Sequence, residues 1–449
     1  MPSLTRMRLA IFDNLANSAY IQAKALRELG HPVDLVLDPF DRFVMSDPRW
    51  EELDLEFPPD ELHTAVMPEW TPPPWIRSAP PFAQRSTLGG RLRHALANVP
   101  RATTLGGRLA EASRAAGWRG SWMAAERAWI VRTLAEYDCV IAYGAGPAWA
   151  ALAGVPCVAE TWGGDMTMLP FYDTGDWEGH ETLPLPGPRG ELFAFARLQR
   201  LGYERAGRIL LTDPRFIPFA ERLGHLEKCV EFGFLIDTKK YSARPEPELR
   251  ARLLAGSEGP LVFVPARQDF YWKGSDQLLR GFAAAARSHP GAVLACAGWG
   301  ADIERSRTLI DELGIGAQVR LLPHAMSKER LRRHYCAADV VADQFTVGSY
   351  GGSALEAMSC ERPVLISLDP ERFEARSASF PPVLNVSGPE EIATALAHLF
   401  DEPATRVALG ARARAWVDEH HGRPLAERVL QLCETVMEEQ GTPHTKLGR

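Results

Sequence analysis

The chain has 449 residues, 46% of them hydrophobic and 24% charged, with a formal net charge of -7. It is too long for one ordinary core, so two domains are expected, and its acidic balance argues against a general nucleic-acid binder. Seven cysteines (Cys139, Cys157, Cys229, Cys296, Cys336, Cys360, Cys433) are scattered without a Cys-x-x-Cys pair, which points to a reducing compartment and no structural zinc. The opening MPSLTRMRLAIFDN has too short an apolar run for a signal peptide, and no run of about 18 apolar residues exists. A cytoplasmic location is expected.

Strand-like apolar runs alternate with helical patterns, the rhythm of parallel α/β sheets. RLAIFD reads as a first strand. SAYIQAKALRELGH follows as a helix, with Ser18 as its cap and Gly30 as its stop. VDLVLD is a second strand, and CVIAYG, VPCVAE and RILLTD read as later strands of the same sheet. Residues about 40–125 break the rhythm: they are rich in Pro, Trp and Arg and show no clear strand. From Arg77 to Arg119 eight arginines face one acid, Glu111, and TLGGRL occurs at Thr87 and again at Thr104. Two readings stay open for this insertion: a solvated basic face, or a surface for an anionic acceptor or anionic lipid heads.

A second series begins after EFGFLIDTKKY. LVFVPA, AVLACAG, VRLLPH, DVVAD and PVLIS read as strands, separated by the helical SDQLLRGFAAAARSH, IERSRTLIDELG, KERLRRHYCAA and SALEAMSC. The expected organisation is two doubly wound Rossmann-like domains, residues 1–235 and 236–420, followed by a helical segment 421–449 that can pack on either.

Two stretches carry chemistry. In DQFTVGSYGGSALEAMSC, Gly351, Gly352 and Ser353 open a helix, where unpaired N–H groups and the helix dipole favour an anion. The bland alternative is a turn made for packing. In LVFVPARQDFYWKGSDQLL, Arg267 follows a strand and Lys273 precedes a helix, at the edge where open α/β sheets bind ligands. Either cation alone reads as a solvated loop residue; together they supply a fork and a point charge for a diphosphate.

The segments VPARQDFYWKGSDQLLRGF, LLPHAMSKERLRRHYCAADVVADQF and GSYGGSALEAMSCERPVLIS resemble the nucleotide-sugar domain of the retaining GT-B glycosyltransferases of the glycogen-synthase-like kind, family four. The likeness covers roughly residues 260–440, and reaches the N-terminal half weakly through the opening strand and helix and through VPCVAETWGGD. It implies a GT-B fold, a nucleotide-sugar donor (UDP-sugar first) and an acceptor-side N-terminal domain. It also implies that Arg267 and Lys273 hold the leaving diphosphate, that amides at Gly351–Ser353 hold its distal phosphate, and that Glu356 takes the ribose hydroxyls. Leu322–Ala325, with His324, would lie against the nucleobase. The bland reading of Glu356 is a helix-start carboxylate.

The pattern also breaks. The family's first glutamate, with seven residues between it and Glu356, falls at Gly348, and Asp343 and Gln344 are the polar residues that precede it. Where many relatives have a glycine pair, this chain has Asn14-Leu15-Ala16-Asn17, so Asn14 on the acceptor side and Asn17 on the donor side are candidates. Trp162 stands where a histidine is usual, and Asp165 either orients a sugar or caps a helix. The implied reaction is transfer with retention to the hydroxyl of a glycan, glycolipid or small molecule, with Arg267, Lys273 and Asp165 as catalytic candidates. No cofactor and no metal is expected, since the two cations neutralise the leaving group. A non-catalytic nucleotide-sugar-binding partner and an epimerase on the same fold remain alternatives. A dinucleotide oxidoreductase, read from YGAGPAW, lacks the third glycine and a suitably placed acid.

Overall fold

The computed structural model describes residues 7–38, 43–78, 122–174, 189–374 and 379–441. Eight strands precede residue 235: β1 (Leu9–Phe12), β2 (Val33–Leu37), β3 (Glu56–Phe57), β4 (Ile76–Ser78), β5 (Cys139–Ala142), β6 (Cys157–Thr161), β7 (Arg208–Leu211) and β8 (Cys229–Glu231). Seven more follow: β9 (Leu261–Val264), β10 (Val293–Ala297), β11 (Val319–Leu322), β12 (Ala325–Met326), β13 (Val340–Ala342), β14 (Val364–Ile366) and β15 (Leu384–Asn385).

Thirteen of these described strands build two sheets whose neighbouring strands run parallel, ordered β4-β2-β1-β5-β6-β7-β8 and β11-β10-β9-β13-β14-β15, and β3 pairs with β12. β1, β5, β9, β10 and β13 are buried along their whole length, as expected where helices cover both faces of a parallel sheet. In each sheet the chain winds outward in both directions from a central pair, β1/β5 in the first and β9/β13 in the second. Loops leaving such a pair diverge above and below the sheet and open a crevice at its C-terminal edge.

The insertion is not strandless. Ile76–Ser78 extends the first sheet by pairing with Leu35–Leu37, and Glu56–Phe57 pairs antiparallel with Met326 and Ala325 of the second half. Arg77, on β4, bonds Glu136 at 2.9 Å and the Tyr137 hydroxyl at 2.8 Å. The remainder of the Arg77–Arg119 stretch, with both TLGGRL copies, lies outside the described residues. Asn17, in the left-handed region at φ 64°, is the N-cap of the helix Ser18–Glu28, and Ser18 is its first residue rather than its cap.

The helix Pro403–His420 places Ala413 and Val417 in the second domain's core. The next, Arg423–Gln440, crosses back and packs Leu425, Ala426, Val429, Leu430, Cys433 and Val436 against β1 and β5 of the first. Each of the Leu and Val side chains among them, fully buried, contributes about 1.5–3 kcal/mol. The approach is close: a Cβ on Gly207 would lie 2.6 Å from Val436. His421, between the two helices, ties the chain's two passages together. Its Nδ1 lies 2.7 Å from the Phe234 carbonyl and its own carbonyl accepts from the Ile236 N–H at 2.8 Å. A carbonyl only accepts, so Nδ1 carries the proton and Nε2 is left to accept from the Tyr350 hydroxyl at 3.2 Å.

No described helix is long and apolar enough to cross a membrane.

Candidate active site

The β9 and β13 loops meet at the switch point of the second sheet. The Phe345 N–H donates to the Lys273 carbonyl at 2.9 Å. Gly274, at φ 63°, permits this approach: a Cβ there would fall 3.0 Å from Phe345 and 3.1 Å from Thr346, in a conformation that other residues rarely adopt. Arg267 is exposed on its loop (42%), and its guanidinium is steadied by Asp269 at 2.9 Å. Lys273 is half-buried and faces Asp343 closely enough to be the strongest compensating charge on that carboxylate. Burial nevertheless pushes the Asp343 carboxyl above the ordinary range.

The helix Gly352–Ser359 starts beside these loops. A Cβ on Gly351 would meet no atom within 4 Å, so its backbone is open to approach. Glu356 is buried beneath the helix start, with Oε1 3.5 Å from where a Cβ on Gly352 would be. Its Oε1 pairs with the Lys328 ammonium and its Oε2 accepts from the Tyr335 hydroxyl at 3.1 Å. Gly348 is left-handed (φ 73°) and bridges Leu368, so this turn disfavours a glutamate at that position.

Several sequence candidates have other duties. Gln344 bonds the Ser349 and Ser367 carbonyls and the Thr346 and Val347 N–H groups, so its amide folds the loop rather than offering a sugar contact. Asn14 and Asn17 are buried. Asn14 donates to Asn17 at 2.8 Å and to the Ser46 carbonyl at 2.6 Å, while Asn17 donates to the Met45 and Asp47 carbonyls. They anchor the insertion rather than point to a ligand. Asp165 is not the N-cap of the helix Gly164–Thr167, which is Gly163; from inside the first turn it accepts from the Trp162 N–H at 3.1 Å and the Gly163 N–H at 2.7 Å, and burial lifts its carboxyl to about 6. Trp162 donates its indole N–H to Glu160 at 3.2 Å and packs on Phe234, ring centres 4.7 Å apart.

The base-side stretch is wedged between domains. Leu322 gives its carbonyl to the Gly298 N–H at 2.6 Å, and Ala325–Met326 is paired with β3, leaving Pro323 and His324 between. His324 Nδ1 lies 3.7 Å from Glu56. A brace from the first domain continues this contact. Leu55 and Ser327 exchange N–H bonds at 2.9 Å, Asp54 takes Arg330 at 2.6 Å and Arg333 at 2.8 Å, and Glu51 takes Lys240 at 2.6 Å. Nearer the donor loop, the Ser349 hydroxyl reaches Asp213 of the first domain at 3.4 Å.

Reading the sequence alone misses Glu51, Lys328, Tyr335, Asp213 and His421. No short motif joins them, because their partners lie tens to hundreds of residues away; only the polar residue in an apolar setting, as at Glu160 in CVAET, leaves a local trace.

This architecture is the GT-B fold. Residues 246–416 match the family described as glycosyl transferases group 1. A D-inositol 3-phosphate glycosyltransferase of Saccharomonospora viridis is 33% identical over 183 residues, 37% of this chain and 40% of that protein. One from Rhodococcus opacus is 31% identical over 204 residues, 43% of this chain and 45% of that protein. The matches thus span under half the length of these relatives. Among solved structures, Anabaena HepE in complex with UDP and glucose superposes with a TM-score of 0.60 at 14% identity, covering 96% of this chain and 100% of that one. Sucrose-phosphate synthase from Thermosynechococcus elongatus gives 0.54 at 17% identity, covering 97% and 100%.

Proposed function

We propose that the chain is a glycosyltransferase that moves a sugar from a nucleoside diphosphate donor, UDP-sugar first, to an acceptor hydroxyl with retention and without a metal. One observation carries this reading: Arg267 and Lys273 follow β9, and the Gly351–Ser353 helix start and Glu356 follow β13, so all four leave the C-terminal edge of the two central strands of the second sheet. The group 1 match over this domain supports it, as does the UDP held by the HepE neighbour.

In this reading the diphosphate lies between the two cations and the helix-start amides. As the glycosidic bond breaks, negative charge grows on the leaving phosphate, and Arg267 and Lys273 stabilise it without reorganising. The acceptor oxygen attacks on the same face, and the leaving phosphate takes its proton. The protein's work is positioning and charge stabilisation rather than general-base catalysis. Asp165 with its bonds to the Trp162 and Gly163 N–H groups, and the Trp162–Glu160 pair, shape the opposing acceptor wall. Asp343 lies beside Lys273, where the donor sugar would sit, and carries the polar role left open by Gly348.

A thermal-shift series with UDP, GDP, ADP and their sugars tests this, since a ligand at 100 times its Kd stabilises by about 2.7 kcal/mol. The bound donor is then followed for nucleoside diphosphate release with and without chelator, and the anomeric configuration of product is read by NMR. No stabilisation by any nucleotide would overturn the reading. Chelator sensitivity would overturn metal independence alone, and an inverted product would overturn retention alone.

A further inference from the structure

Lys328 has no place in the chemistry above, yet it is the most deeply engaged cation of the donor side. Its side chain is 16% exposed and its ammonium pairs with Glu356, itself 3% exposed. Burial works against the charged ammonium, but Glu356, Glu51 and Asp343 together hold its pKa above the ordinary value. Glu51 comes from the first domain, on the short helix Pro48–Glu52; its Oε1 meets Lys240 and the Tyr241 hydroxyl, and its Oε2 is buried with no hydrogen-bond partner. Three buried carboxylates, Glu51, Asp343 and Glu356, thus face three lysines, Lys240, Lys273 and Lys328.

A carboxylate that grips two ribose hydroxyls must be ionised and must keep lone pairs turned toward them. Each oxygen accepts about two hydrogen bonds, so Lys328 on one and Tyr335 on the other leave one site on each. Without the ammonium, Glu356 would be a buried charge facing Glu51 and Asp343, and would turn away or protonate.

Resting on the donor assignment above, we propose that Lys328 is a positioning residue for Glu356. It fixes the carboxylate for the ribose.

The test uses full-length protein and whichever of UDP, GDP or ADP binds best, each against its 2′-deoxy form, by calorimetry. Wild type should prefer the ribose form by about 10-fold or more, the worth of a hydrogen bond to a charged group. Glu356→Gln should abolish that preference. Lys328→Met should bring it to within about threefold of unity while the 2′-deoxy ligand's affinity moves less than about threefold. Lys328→Gln, polar but uncharged, is expected to do the same and stands in should the Met variant not fold. A preference kept at the wild-type level, or equal weakening of both ligands, overturns the role of Lys328. A wild type that binds neither form or ignores the 2′-hydroxyl instead overturns the donor reading itself.

Discussion

Arg267→Ala separates charge stabilisation from folding. The guanidinium touches Asp269 at 2.9 Å, and the side chain is 42% exposed, so the pair itself contributes at most about 1 kcal/mol. Leaving Asp269 buried without that partner adds a penalty, which its remaining bond from the Trp272 N–H at 2.8 Å limits, for a total of about 1–3 kcal/mol. That lowers Tm by roughly 2–4 °C per kcal/mol for a domain of about 150–250 residues, and the protein stays folded at 25 °C. Catalysis should suffer far more. One preorganised donor aimed at developing charge contributes about 2.7–4 kcal/mol, so kcat should fall on the order of 10² to 10³. The assay is nucleoside diphosphate release at saturating donor, with water as acceptor until a better one is found, alongside a melt of the same sample. A folded variant with kcat within about threefold of wild type would remove Arg267 from the site and refute the placement of the diphosphate on this loop.

Burial raises the Glu160 carboxyl from 4.5 to about 7. A raised carboxylate binds a proton on folding, so its contribution, on the order of 3 kcal/mol, is full below about pH 4.5 and lost as pH rises through about 7. Glu160→Gln should therefore flatten the fall of Tm across that window; an unchanged slope would contradict it. Gly202→Ala should destabilise by about 1–3 kcal/mol despite better helix propensity, because the new Cβ would lie 2.5 Å from the Pro147 backbone carbon; a urea midpoint at or above wild type would refute this close helix contact. Asp54→Ala frees Arg333 from the first domain and leaves Arg330 its Glu56 partner at 2.5 Å, and amide exchange at Leu55 and Ser327 should rise by roughly fivefold to tenfold with little change in the core strands. Unchanged exchange at both amides would show that the brace holds without Asp54.

The elements that a sequence declares are those with local causes. β1, β5 and β9 (LAIF, CVIA and LVFV) are runs of buried apolar residues, and β2, β6 and β7 are largely so, legible from composition alone. β8 and β15 are short and only partly buried, so nothing in CVE or LN distinguishes them from loop. β3 and β4 become strands through partners supplied elsewhere: Leu35–Leu37 for one, Ala325–Met326 for the other. The site divides the same way. Arg267, Lys273 and Glu356 stand at fixed offsets from strand ends and a helix start, so backbone geometry alone brings them to one edge. Asn14, Asn17, Gln344 and Asp165 sit at equally suggestive offsets, yet their side chains answer backbone groups that the fold would otherwise leave unsatisfied.

The brace changes how closure is to be imagined. A two-domain cleft ordinarily opens about its connecting segments, here the paired passages at Phe234–Ile236 and His421. In this chain the far side is also joined, through β3 and β12 and through Asp54 and Glu51. Motion that opened the base end would have to break a strand pairing and expose Glu51, a fully buried carboxylate with one oxygen already unsatisfied. The softer coordinate is the donor loop, which meets the first domain through the Ser349–Asp213 contact at 3.4 Å. On the proposed function, donor enters at the sugar end, where Tyr350 meets His421 and a Cβ on Gly351 would meet no atom within 4 Å. On that reading the domain arrangement is set where the nucleoside binds and is left adjustable where the sugar is transferred.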